Sequence, residues 1–176
     1  PKAREVLQSV TKDDVSNDGI PYMNAKQITI NGISVLAHRV SFVGELGWEL
    51  QITTEKAIFI WDQLWATGQD YQMVPCGYKT VDALRLEKGF LTLTSDITGL
   101  ENPYEARLGF CVNFKQGGDF IGRKALEKIK AEGPKQKLCT ITIGGEDYLT
   151  LYGGEAVLHQ GKTVSRLRSA GYGHFV

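Results

Sequence analysis

Glu45 stands between two glycines in Gly44-Glu-Leu-Gly47, and of all the short motifs in this 176-residue chain it is the one best suited to chemistry. Glycine admits positive φ and lets a ligand come close to the backbone. A carboxylate held at such a turn can accept two parallel N–H bonds from a planar donor pair. A guanidinium offers such a pair, and so does the ring N–H and exocyclic amine of a pterin. The same spacing also describes a tight hairpin turn with a solvated glutamate, and spacing alone leaves both readings open.

The elements around Glu45 follow from periodicity. Leu46, Trp48, Leu50 and Ile52 alternate with Gly47, Glu49 and Gln51, which predicts a strand over Leu46–Thr53 with the first group facing a core. Lys26–Ile30 alternates as well, Asn31-Gly32 is a strong hairpin signal, and Ile33–Phe42 supplies the next strand. The result is a three-stranded meander. A short amphipathic helix is expected over Lys2–Val10. Thr54 is expected to cap a longer one, whose Ala57, Ile58, Trp61, Leu64, Trp65 and Gly68 recur at three-and-four spacing. That stripe, its two tryptophans included, is expected to pack into the core. Gly77–Lys88 reads as a third helix closed by Gly89.

Beyond it, Leu108–Phe114 reads as a strand, and a helix runs from a cap at Asp119 to a stop at Gly133-Pro134. Short strands are expected at Lys137–Ile143, Glu155–His159 and Thr163–Leu167, with glycine turns between them. The expected fold class is α+β: an antiparallel sheet with packed helices, then a small β-barrel or sheet, with a boundary near Gly117 or Pro134.

Twenty basic residues balance twenty acidic ones, so no net field draws nucleic acid or an anionic membrane, and neither is expected as a partner. No apolar run approaches bilayer-spanning length. The opening Pro1-Lys-Ala-Arg-Glu lacks an initiator Met and does not resemble a signal peptide, so the sequence reads as an excised fragment. Cys76, Cys111 and Cys139 are odd in number and far apart, which points to free thiols in a reducing compartment. His38, His159 and His174 have no metal-ligand spacing, and no metal site is expected.

Several other motifs fall short of chemistry. Gly117-Gly-Asp-Phe-Ile-Gly122-Arg123-Lys124 misses a phosphate loop, with Arg123 in place of lysine and Lys124 in place of Ser or Thr. Arg85, Glu87 and Lys88 read as a solvated helix face with weak ion pairs. Asp96 reads as a turn-stabilising aspartate.

Arg39-x-Ser-x-x-Gly44-Glu45-x-Gly47-Trp48-Glu49 resembles the signature of the glycine-cleavage T-protein (aminomethyltransferase) family. The likeness continues through Gly77–Gly89, Ser95–Thr98, Asn102–Ala106 and Asp119–Leu126, in the same order over essentially the whole chain. Trp48, Glu87-Lys88-Gly89 and Asp14-Val-Ser16-Asn17 are most similar to one branch: the folate-binding C-terminal region of dimethylglycine and sarcosine dehydrogenase or oxidase flavoproteins. The resemblance implies a module that captures a one-carbon unit from an oxidised N-methyl amine on tetrahydrofolate. It implies that Glu45 holds the pterin, with Trp48 and Tyr78 as aromatic walls. Arg39, Lys79, Lys115 and Arg123 are the candidate cations for the glutamyl tail. Leu84–Glu87 is implied to support the helix behind the pocket, so Arg85 and Glu87 are structural first.

The resemblance also carries departures. Val81 stands where many T-proteins place a folate-binding arginine before Asp82. The family's catalytic aspartate belongs to an upstream half, so the catalytic residue is unknown within this chain and the isolated fragment is expected to be inactive. Any FAD belongs to an upstream flavin domain of the parent, which is the expected partner together with folate. Ser165–His174 resembles a family strand that normally continues, so the C-terminal barrel is expected to be truncated. The domain reading is 1–116 for the α+β part and 117–176 for a helix plus that barrel. The expected location is cytoplasmic, or the mitochondrial matrix for a eukaryotic parent. The competing expectation is a non-catalytic regulatory or scaffold module of the same fold, similar to the regulatory subunit of pyruvate dehydrogenase phosphatase.

Overall fold

The computed structural model describes residues 2–116, 118–145, 149 and 151–175, in two compact units that divide between Phe90 and Leu91. The first unit contains a three-stranded antiparallel sheet: β1 (Ala25–Ile30), β2 (Ile33–His38) and β3 (Glu49–Gln51), in that order. Asn31 and Gly32 both take positive φ, 45° and 84°, which is the hairpin geometry their sequence calls for. The turn sets Ile30 opposite Ile33, Ile28 opposite Val35 and Lys26 opposite Ala37. One sheet face is therefore apolar, and β3 extends it by placing Leu50 opposite Ala37.

That face builds the core. Ile28, Ile30, Val35 and Ala37 are buried with Leu7 and Val10 of the α1 segment (helix Ala3–Ser9, with Val10 as its C-cap), Val15 and Ile20 of the following loop, and Ile60 of α2 (Thr54–Gly68). Trp48, Leu50 and Ile52 pack against its margin, as their parity predicts. Both strands at the Glu45 turn are shorter than expected. β2 stops at His38 because the facing strand breaks the ladder: the Arg39 amide still donates to the Asn24 carbonyl, but the Asn24 amide turns to Pro21, and the Arg39 carbonyl accepts from Met23 instead.

The expectation for α2 is half right. Its extent matches, but Thr53 is the N-cap and makes no side-chain cap bond. Ile60 is the fully buried residue, whereas Ile58 is 77% exposed and Trp61 57% exposed. The sequence stripe points outward at Ile58 and Trp61, and Trp61 stacks on Trp65 with ring centroids 6.1 Å apart. A stripe wider than the core it meets leaves part of itself in solvent.

α3 (Tyr78–Glu87) begins after Gly77 and ends in a full Schellman closure. Gly89, at φ 74°, donates to the Leu86 carbonyl, and Phe90 donates to the Arg85 carbonyl.

The second unit is looser. The residues expected as a strand from Leu108 to Phe114 instead form a 3-10 turn, Gly109–Cys111, where Gly109 lies so close to the Tyr104 ring that a side chain would collide with it. Asn102 and Glu105 bond reciprocally to each other's end of a single turn: Asn102 accepts from the Tyr104 and Glu105 amides, and Glu105 accepts from the Asn102 amide. α4 (Arg123–Glu132) starts after Gly122 at φ 92°, not from a cap at Asp119, and stops at Gly133 as expected.

Lys137–Ile143 is irregular. β4 (Ala156–His159) and β5 (Lys162–Arg166) pair through a Gln160-Gly161 turn as a lone, exposed two-stranded sheet. The α+β class with antiparallel pairing stands, and among the described residues these two strands do not make a barrel. Gly117, at the expected boundary and at the head of the near-miss phosphate loop, lies outside the described residues.

Candidate functional site

The Glu45 turn is built from two directions. From below, Arg39 fixes its approach: one guanidinium nitrogen donates to the Ile20 carbonyl at 2.9 Å. Ile20 ends a loop organised by Asp14 and Ser16. The Ser16 amide donates to the Asp14 carboxylate at 2.8 Å, and the Asp18 and Gly19 amides turn in on the Ser16 hydroxyl. The bonds from Ser16, first of all, hold the Asp14 carboxyl below its ordinary range. One guanidinium nitrogen of Arg39 thus serves the backbone, while its Nε is buried without a hydrogen-bond partner among the described residues.

From the side, the turn meets the end of α3. Gly44 has φ 76°, and the place its side chain would occupy lies 2.6 to 2.9 Å from Cγ, Cδ and Cβ of Lys88. The glycine is required twice over, by its conformation and by the lysine stem laid across it. Lys88 is held there by the Schellman closure, and that closure is locked by Arg85. Arg85 is 2% exposed; it pairs with Asp82 at 2.6 Å and donates to the Phe90 carbonyl at 3.2 Å. The sequence expectation of a solvated, weakly paired Arg85 is corrected by this burial, since the turn after α3 folds back over the guanidinium. Lys88 itself is exposed.

Glu45 is exposed, and among the described residues neither it nor Lys88 forms an ion pair. A carboxylate and an ammonium, each without an ion-pair partner among the described residues, therefore belong to the two segments that meet at Gly44. The carboxylate is accessible and, among the described residues, has no protein donor to displace, so both its oxygens are open to a donor pair.

The other two expected site residues lie in different surroundings. Trp48 packs on the core margin and lines an apolar cavity of about 420 Å³ with Val6, Leu7, Leu50, Leu64 and Met73. Its indole Nε1 is buried without a hydrogen-bond partner. Tyr78, the first residue of α3, is 78% exposed. Among the described residues no hydrogen bond or ring contact joins Glu45, Trp48 and Tyr78.

Of the remaining tail-binding candidates, Arg123 is occupied within the second unit. It donates to the carbonyls of Gly118 and Phe114, pairs with Glu127 at 3.0 Å and lies over the Phe114 and Phe120 rings. Lys79 and Lys115 are exposed. Asp96 is buried and accepts from the Thr92 amide at 2.8 Å, the turn-stabilising role its position predicts. The three cysteines are free and exposed. Among the described residues no group of His, Cys, Asp and Glu could hold a metal ion, and no helix is long and apolar enough to cross a membrane.

The contribution of Lys88 was not legible in its helix face alone. Its signal was the glycine forty-four residues upstream, whose need for an empty side-chain position becomes visible only once the two segments meet.

Comparison with known proteins agrees with the motif reading. The mouse mitochondrial dimethylglycine dehydrogenase is 36% identical over 176 residues, all of this chain and 20% of its own length. The mouse mitochondrial sarcosine dehydrogenase is 35% identical over 176 residues, again all of this chain and 19% of its own. An aminomethyltransferase from Symbiobacterium thermophilum is 36% identical over 163 residues, 89% of this chain and 44% of its own. The chain thus spans about a fifth of the length of these dehydrogenases. Residues 1–116 match the family model described as the GCVT N-terminal domain, and the chain belongs to that family.

Proposed function

We propose that this chain is a tetrahydrofolate-binding part of an aminomethyltransferase module, which captures one-carbon units released when an N-methyl amine of the dimethylglycine or sarcosine type is oxidised. The observation that carries this reading is the unpaired Glu45 carboxylate, exposed between Gly44 and Gly47 on a turn fixed by Arg39 and Lys88. Similarity over all of this chain to two dehydrogenases, and over 89% of it to an aminomethyltransferase, supports it.

In this reading Glu45 accepts the pterin ring N–H and exocyclic amine in parallel and so orients the folate. Tyr78 and Trp48 are the aromatic residues offered to the ring system; of the two, Tyr78 has the freer face. Bound tetrahydrofolate supplies the nucleophilic nitrogen that takes up the one-carbon unit. The contribution of this chain is recognition and orientation. Residues 1–116 form the folate-binding part and 117–176 a separate accessory part, in a longer protein whose flavin-bearing region is the partner. The mitochondrial matrix suits a parent like the two mouse dehydrogenases.

Calorimetric titration of tetrahydrofolate into the chain tests the reading. Saturable binding supports it. Absence of binding both by a chain that melts cooperatively and by its full-length parent rejects it in favour of a regulatory or scaffold module of the same fold.

A further inference from the structure

Resting on that reading, we propose that Lys88 is a specificity-determining residue, which donates to the 4-oxo group of the pterin while Glu45 takes the neighbouring donor pair. A pterin presents three groups in a row along one edge: an exocyclic amine, a ring N–H and a carbonyl oxygen. A carboxylate satisfies the first two and leaves the carbonyl, which needs a donor from the protein. The turn carries both complements.

Glu45 follows Gly44 directly, and the Lys88 stem from Cβ to Cδ is seated on Gly44. The stem is thereby held against the turn that presents the carboxylate. Lys88 is anchored at its other end by a rigid backbone: it is the C-cap residue of α3, inside the Schellman closure that Arg85 locks. Neither charge is spent on a partner among the described residues, so binding breaks no ion pair. Two charges of opposite sign on the segments that meet at Gly44 suit a neutral ring edge that carries both donors and an acceptor better than they suit an anion or a cation. A lysine also suits a carbonyl, since a single ammonium donor has no planar fork to satisfy.

The alternative use of Lys88, holding the glutamyl tail, is separated by choice of probe. Tetrahydrofolate and 6-methyltetrahydropterin present the same edge to Glu45 and Lys88, and of the two tetrahydrofolate alone carries the glutamyl tail. Titrations of both are made into the native chain, Lys88→Met, which keeps the stem and removes the charge, and Lys88→Arg, which keeps a donor. Lys88→Met is expected to weaken tetrahydrofolate about tenfold, the scale of a partly exposed charge-assisted hydrogen bond. The tail-less pterin is expected to weaken by a similar factor, and Lys88→Arg to recover most of the loss in both. Weakening of tetrahydrofolate with the tail-less pterin unchanged overturns the assignment in favour of the tail, and unchanged tetrahydrofolate binding overturns any role for Lys88. Failure of both the native chain and its full-length parent to bind tetrahydrofolate overturns the folate reading itself, and this proposal with it.

Discussion

The side chain of Lys88 occupies the space that a side chain on Gly44 would need, so the turn presenting Glu45 and the last turn of α3 fit only with glycine at 44. The fit joins two segments that the sequence separates by a helix and a loop. Gly44→Ala is expected to destabilise the chain by about 1–3 kcal/mol through its positive φ and the collision together. Urea unfolding of Gly44→Ala, Lys88→Ala and the double variant checks the origin of the effect. The pair should couple, with the double variant less damaged than the two singles imply.

Arg85 is the second lever on the same turn. Its guanidinium is buried, pairs with Asp82 and caps the chain at the Phe90 carbonyl. Arg85→Met is expected to cost about 2–3 kcal/mol, the scale of hydrogen bonds to a charged group. Arg85→Lys should recover little of it, because one ammonium cannot reproduce the planar fork. Thermal unfolding of the two variants measures both effects.

On α2 the expected contrast lies between two isoleucines two residues apart. Ile60 is fully buried and Ile58 is 77% exposed. Ile60→Ala is expected to cost about 2–5 kcal/mol and Ile58→Ala to stay within about 0.5 kcal/mol. Equal costs would contradict the orientation of the helix.

Much of this fold was legible. Alternation over Lys26–Ile30 and Leu46–Ile52, with Asn31-Gly32 between the first two strands, specifies a meander because period and turn chemistry agree. Gly89 and Gly133 end their helices for the same local reason. The misses come from tertiary context. The Ile58 and Trp61 positions satisfy helical periodicity yet face outward, since three-and-four spacing gives the width of a stripe and not how much of it finds a partner. Leu108–Phe114 has strand composition, but Gly109 packed under Tyr104 and a left-handed Arg107 turn it into a 3-10 bend. At the site, Glu45 was legible from its flanking glycines. The backbone bonds made by Arg39 and Arg123 were not, because backbone carbonyls leave no trace in sequence.

The second unit should respond to acid. Glu101 accepts from the Thr98 amide and hydroxyl and pairs with Arg168 at 2.7 Å, and Glu155 accepts from the Tyr152 and Gly153 amides. These bonds, first those from Thr98 and Tyr152, hold both carboxyls below their ordinary value of 4.5. A depressed native pKa means that the unfolded chain binds protons first. The contribution is therefore complete above about pH 5 and is lost as pH falls below 4.5 through the native values. Amide protection factors at Thr98, Tyr152 and Gly153 should fall over that window, and Glu101→Gln should remove the pH dependence at Thr98 alone.

The most direct measurement is titration of tetrahydrofolate into the native chain and into Glu45→Gln, with melting curves to confirm that both are folded. Glutamine keeps the size and one acceptor but cannot receive two donors in parallel. Saturable binding by the native chain and a loss of about 2 kcal/mol, roughly thirtyfold, in Glu45→Gln is the expected result. Equal affinity in the two proteins, or no binding both by a folded native chain and by its full-length parent, would contradict the assignment of Glu45 as the pterin-binding residue.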